Sequence, residues 1–285
     1  MIIDMRLRPP IAPFVRTTLY QAPPKTLHPD FPIEPSVAAR SLKLLLNEMD
    51  AAGVAVGVVP GRYSMEPFGD VPNEDLAAFF TQYPGRFVGF MGLDLSWPIE
   101  QCLREIETYM AQPGFVGVAI EPTISRDSSF TLMSDRRLYP IYEECQRRRI
   151  PLSITLSAVL QAFAKQPYEY SNPVQVYQVA MDFPDLDIVV AHAAYPWVME
   201  MIGVALACPN VWLSPDLYLT DAFPGAHEYA KAVANYFSKR TMFGTGYPAK
   251  PFSPMANAYR AWGWSEEITA AVLGGNAKRL LKLGN

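Results

Sequence analysis

The sequence predicts an α/β fold, a (β/α)8 TIM barrel. Three observations carry that prediction: eight short apolar runs, amphipathic stretches between them, and a chain of 285 residues with no linker dividing it. Strand–helix–strand order implies parallel strands joined by right-handed crossovers. Eight such units in roughly 250 residues plus loops suit a closed barrel better than an open sheet. No glycine-rich dinucleotide or P-loop motif follows any of the strands. Residues 1–285 are read as one domain.

The elements follow in order. Ile2–Met5 opens as a strand. The next stretch, with Pro9, Pro10, Pro13, Pro23, Pro24, Pro29, Pro32 and Pro35, is too proline-dense for a helix or a central strand. Ser36 is expected to cap a helix whose apolar positions are Leu42, Leu45, Leu46 and Met49. Gly53 ends it, and Val54–Val59 reads as a buried strand. Asn73–Tyr83 is a helix and Arg86–Leu93 a strand; Pro98–Met110 and Phe115–Ile120 repeat the unit. Asp135–Arg149 is helical, with Pro140 an awkward member, and Leu152–Leu156 is a strand. Pro173–Asp182 precedes Asp187–Ala191, and Pro196–Ala207 precedes Val211–Ser214. Ala226–Phe237 leads to a strand at Thr241–Thr245, and Ser265–Leu281 is helical.

Composition narrows the class. Half of the residues are hydrophobic and the net charge is -4, which disfavours both disorder and nucleic acid as a bulk electrostatic partner. The longest apolar stretches fall short of the roughly 18 residues of a membrane span. Met1 is followed by Ile-Ile-Asp, which reads as a strand start and not a cleavable signal. Cys102, Cys145 and Cys208 are far apart and form no CxxC pair, as expected of reduced thiols in a cytoplasmic protein. Homo-oligomerisation is left open.

A barrel places its chemistry at the C-terminal ends of its strands. Those ends collect Arg6 and Arg8, Arg62 and Tyr63, Asp94, Glu121, Thr155, His192, Ser214 and Asp216, and Gly246 with Tyr247. Strand alternation would put Asp4, Arg6 and Arg8 on one face. Two guanidinium groups about 5 Å apart repel by roughly 3 kcal/mol at an effective dielectric near 20, so an anion must compensate them. Asp4, Glu121, Asp216 or a ligand could do so, and an internal network competes evenly with a substrate-anion site. Arg62 reads more readily as a solvated loop residue. Of three histidines, His28 and His227 read as surface residues, whereas His192 ends a strand at the mouth and is the candidate acid–base group.

Several motifs together resemble the amidohydrolase-related barrels of the aminocarboxymuconate-semialdehyde decarboxylase type. They are the opening Ile-Ile-Asp4, Asn73-Glu-Asp-Leu, the run Tyr83 to Phe90, Gly114-Phe-Val-Gly-Val118 and Ile150-Pro-Leu. Val190-Ala-His192 with Pro196-Trp197, Cys208-Pro-Asn-Val-Trp, Phe243-Gly-Thr-Gly-Tyr-Pro248 and Gly274 to Leu280 complete the set. The resemblance implies a metal site opening with Asp-x-His-x-His, yet Arg6 and Arg8 stand at those histidines. Thr155 stands where a third histidine ligand is implied, and Gly246 where the metal-binding aspartate is implied. His192 matches a histidine that acts beside the metal.

These departures predict an enzyme without metal or other cofactor, acting on a small carboxylated compound by hydrolysis or carbon–carbon lysis. Arg6 and Arg8, with Arg62 and Thr155, would bind the carboxylate. His192 would carry the proton, assisted by Glu121, Asp216 or Tyr247. The alternative is a non-catalytic barrel that binds a carboxylate ligand or a protein partner. A metal site rebuilt from His192, Glu121 and Asp216 would be poor in ligands.

Overall fold

The computed structural model describes residues 1–21 and 32–284. Seven strands form one parallel sheet in sequence order: β1 (Ile2–Asp4), β2 (Val54–Pro60), β3 (Phe87–Gly92), β4 (Phe115–Ile120), β5 (Leu152–Thr155), β6 (Ile188–Ala191) and β7 (Val211–Ser214). Every neighbouring pair is parallel. The fold is an α/β barrel.

The chain after β7 spans the gap back to β1. Leu213 and residues 240–242 exchange backbone bonds, Leu213 N to Arg240 O at 2.8 Å and Met242 N to Leu213 O at 2.9 Å. On the other side, Met5 N donates to Phe243 O at 2.9 Å and Arg8 N to Tyr247 O at 3.2 Å. The strand expected at Thr241–Thr245 is instead an extended segment with isolated bridges. Its amides explain the difference: Thr245 N donates to Asp4 Oδ1 at 3.0 Å and Tyr247 N to Thr245 Oγ1 at 2.9 Å, so side chains take bonds that a ladder would need.

Most helices lie where apolar spacing puts them. The expected helix from Ser36 is two helices, Pro35–Ala39 and Leu42–Ala52, separated where Arg40 adopts φ 50. Ser41, not Ser36, caps the longer one by accepting from Leu44 N, and Gly53 ends it at φ 74, a left-handed position that glycine takes without strain. Pro140 is harmless because it sits in the first turn of Tyr139–Arg148, where no partner for its missing N–H is required. Pro23, Pro24, His28 and Pro29 lie outside the described residues.

Two apolar layers hold these elements. The larger lies between sheet and helices and includes Leu45, Met49, Leu76, Ile106, Ile141, Val179 and Met201. The second gathers Ile3, Val58, Phe90, Ala119, Val189, Trp212 and Met242 with Ala277, Leu280 and Leu281 of the last helix, and fills the barrel interior. Each fully buried aliphatic side chain stabilises the fold by about 1.5–3 kcal/mol. Cys102, Cys145 and Cys208 are buried and free. Among the described residues no helix is long and apolar enough to cross a membrane.

Candidate functional site

The alternation expected of Asp4, Arg6 and Arg8 stops at the end of β1. Asp4 Oδ1 accepts from the Arg6 amide at 2.9 Å, and the chain bends at Met5 and Arg6. Met5 joins the interior apolar layer, while Asp4 turns to Thr245, whose hydroxyl donates to Oδ2 at 2.6 Å. Arg6 and Arg8 are both buried at the mouth, 2% and 5% exposed.

Arg6 crosses the mouth. Its Nη2 donates to Thr155 Oγ1 at 2.7 Å and reaches Glu121 Oε1 at 3.5 Å. Arg62, expected to be solvated, is buried: its Nε and Nη2 each lie 2.8 Å from a Glu121 oxygen, and its guanidinium covers the Phe68 ring at 5.1 Å. A two-residue strand, Arg62–Tyr63, paired antiparallel with Asp70–Val71, carries it there. Ser64, which sequence reading missed, donates to Glu121 Oε2 at 2.5 Å. Burial raises the Glu121 pKa, but Arg62 and Arg6, with bonds from Arg62 and Ser64, bring it down to about 2. Such a carboxylate is a poor proton acceptor at neutral pH, so Glu121 is an ion-pair hub here and the acid–base role expected of it lacks support.

His192 stands at the end of β6. Its Nδ1 lies 3.0 Å from Asp216 Oδ2 without an aligned hydrogen bond to it, and its backbone N donates to the same oxygen at 3.1 Å. Ser214, also missed in the role it takes, donates to Asp216 Oδ1 at 2.5 Å. Burial pushes the His192 pKa below its ordinary value, against the pull of Asp216, so the ring is neutral at pH 7. Burial raises the Asp216 pKa less than His192, Arg6 and Ser214 lower it, and the carboxylate stays ionised. His192, Ala193, Ala194 and Asp216 all have positive φ, from 42 to 64, a conformation that costs a non-glycine residue on the order of 1 kcal/mol. The edge of an aromatic group adjoins the histidine: Tyr218 meets its ring at 5.6 Å and stacks on Tyr195 at 4.2 Å.

Arg8 is the exception in this network. Its Nη1 makes only long bonds, to the carbonyls of Gly246 at 3.3 Å and Tyr247 at 3.5 Å, and its Nε has no partner. Among the described residues no carboxylate pairs with it. Burial, then the like charges of Arg6 and Arg62, work against its charged form and outweigh the more distant pull of Glu121 and Asp216. The Tyr247 hydroxyl, expected to assist His192, instead bonds Ser36 and Glu48 on the helical side, and its ring stacks on Phe252 at 4.7 Å. Asp94 pairs with Arg126 at 2.8 Å and is occupied there. His227 is exposed and paired with Asp221, as expected of a surface residue. Lys250 is buried, and desolvation lowers its pKa to about 8.

The positions where a metal is implied do not fit one. Guanidinium groups have no lone pair to donate, the Thr155 hydroxyl already accepts from Arg6, and Gly246 has no side chain. Among the described residues no three or more His, Cys, Asp or Glu side chains gather to hold a metal ion.

Residues 3–283 match the amidohydrolase family. An uncharacterized TIM-barrel protein of Bordetella bronchiseptica is 34% identical, over 99% of this chain and 98% of its own, with a TM-score of 0.88. The 5-carboxyvanillate decarboxylase of Sphingomonas paucimobilis is 18% identical over 99% of each chain, TM-score 0.69. The 4-oxalomesaconate hydratase of Rhodopseudomonas palustris is 18% identical over 99% and 96%, TM-score 0.68. At that identity the two enzymes share the fold.

Proposed function

This chain belongs to the amidohydrolase family, and on that premise we propose that it acts without a metal ion on a small carboxylated compound, by hydrolysis or carbon–carbon lysis. The observation that carries the proposal is Arg8, a buried guanidinium without a carboxylate partner among the described residues. A substrate carboxylate supplies the missing counter-charge through directional, charge-assisted bonds. Arg6, already oriented by Thr155 and Glu121, faces negative charge that develops in the reaction. His192, neutral and backed by Asp216, takes or gives the proton.

Arginine does not lower the pKa of water as a metal ion does. An activated substrate, a lactone or an acid whose carboxylate leaves readily, therefore suits this site better than an unactivated amide. The names of the decarboxylase and the hydratase above point to carboxylated compounds as well. We read residues 241–247 as the eighth stave of one barrel, and the free, buried cysteines as those of a cytoplasmic protein.

A panel of lactones, keto acids and aromatic acids, offered to the purified protein, tests the proposal. Turnover that His192→Gln lowers by about 100-fold or more supports it. Saturable carboxylate binding without turnover of any member favours a second reading, a carboxylate-binding barrel without activity. Gly246, standing where the family pattern has an aspartate, is the observation on that side.

A further inference from the structure

We infer that Ser214 is a positioning residue: by holding one oxygen of Asp216 it turns the other toward His192, so that the ring keeps its proton on Nδ1 and presents Nε2 as its basic atom. The inference rests on reading His192 as the proton carrier.

The Asp216 carboxylate is fixed from several sides. Ser214 Oγ donates to Oδ1 at 2.5 Å and the amide of His192 donates to Oδ2 at 3.1 Å. His192 Nδ1 lies 3.0 Å from Oδ2 without an aligned hydrogen bond, but a bare lone pair so close to a carboxylate oxygen would be repelled, so the approach favours a proton on Nδ1. Tyr259 holds the backbone by donating to the Asp216 carbonyl at 2.9 Å. Gly244 faces the remaining side: a Cβ there would stand 2.3 Å from Oδ1, so only glycine leaves the carboxylate this place. Ser214, Asp216 and His192 are all buried, with at most 4% exposure, so water does not compete for these contacts. Without the Ser214 hydroxyl, Oδ1 would be a buried charged acceptor lacking that bond, and the carboxylate would turn to recover one. Turning it withdraws Oδ2 from Nδ1 and frees the imidazole to change tautomer. The group that faces one ring nitrogen sets which nitrogen is basic. Solvated imidazole side chains favour the proton on Nε2, so a proton held on Nδ1 is a signature of the protein and not of the residue.

Ring 15N shifts of the full-length, ligand-free protein, recorded where imidazole is neutral and assigned with His192→Gln, test the inference. The wild type is expected to show the Nδ1–H form, Ser214→Ala a mixture with Nε2–H, and Ser214→Thr a return toward the wild-type pattern because it restores a hydroxyl. If Ser214→Ala does not fold, Gly244→Ala displaces the same carboxylate and is expected to give the same mixture. An Nε2–H form in the wild type overturns the inference. So does a folded Ser214→Ala protein with wild-type ring shifts. These shifts need neither substrate nor turnover, so the inference and the proposed function fail separately.

Discussion

Arg6 Nη2 and Thr155 Oγ1 are hydrogen-bonded at 2.7 Å, joining the chain just past β1 to the end of β5 across the barrel mouth. Both residues stand where the family resemblance implies metal-binding histidines. Two would-be ligand positions thus satisfy each other, and the positive charge at this end of the barrel belongs to guanidinium groups. Glu121 is shared by Arg6 and Arg62, one negative charge against two, Asp216 faces His192, and Arg8 has no carboxylate partner among the described residues.

Glu121→Gln removes the counter-charge of a buried pair whose members are about 5% exposed. Leaving Arg62 buried without it is expected to lower unfolding free energy by about 3–5 kcal/mol. Urea unfolding of the variant measures this. A loss within about 0.5 kcal/mol, the range of an ordinary surface substitution, would contradict the ion-pair hub.

Asp4 gives stability an unusual pH dependence. Burial, outweighing the bonds from Thr245 and the Arg6 amide, raises its pKa from 3.8 to about 6. Between those values the folded chain binds a proton that the unfolded chain does not, so this group makes stability fall as pH rises through that window. The full effect is on the order of 3 kcal/mol. Glu121 has the opposite sign: its contribution is present above its ordinary value of 4.5 and is lost as pH falls toward about 2. The difference between wild type and Asp4→Asn, measured by chemical unfolding from pH 4 to 7, isolates the first contribution. A difference that does not vary with pH would rule it out.

The fold was largely readable from the chain, because buried parallel strands such as Val54–Pro60 and Phe115–Ile120 are continuous apolar runs bounded by helix signals. The site was readable only as a set of strand ends. Arg62 looked solvated because its partner, Glu121, is 59 residues away and nothing local marks the pair. Ser64 and Ser214 carry no pattern of their own; their roles exist only once Glu121 and Asp216 are placed. The bend after Asp4 comes from a side chain bonding its own backbone two residues on, which period-two alternation does not foresee. Tyr247 shows the reverse error: its backbone lies beside Arg8, but its hydroxyl turns to Ser36 and Glu48.

Chelators are expected to leave thermal stability and any carboxylate binding unchanged, because Arg6, Arg8, Thr155 and Gly246 offer no imidazole or carboxylate donor. Elemental analysis of the purified protein provides the check. Near-stoichiometric zinc, lost together with stability when mouth residues such as His192 and Asp216 are substituted, would refute the expectation.

The central claim is that Arg8 awaits a carboxylate, and a thermal-shift comparison of wild type with Arg8→Lys tests it most directly. A ligand that binds only the folded state stabilises it by about 2.7 kcal/mol at 100 times its dissociation constant. Small mono- and dicarboxylates are therefore expected to raise the wild-type melting temperature. They should raise that of Arg8→Lys less, because lysine keeps the charge but loses the planar fork. A wild-type melting temperature that stays flat across the carboxylates would contradict the account, whatever the stability of the variant.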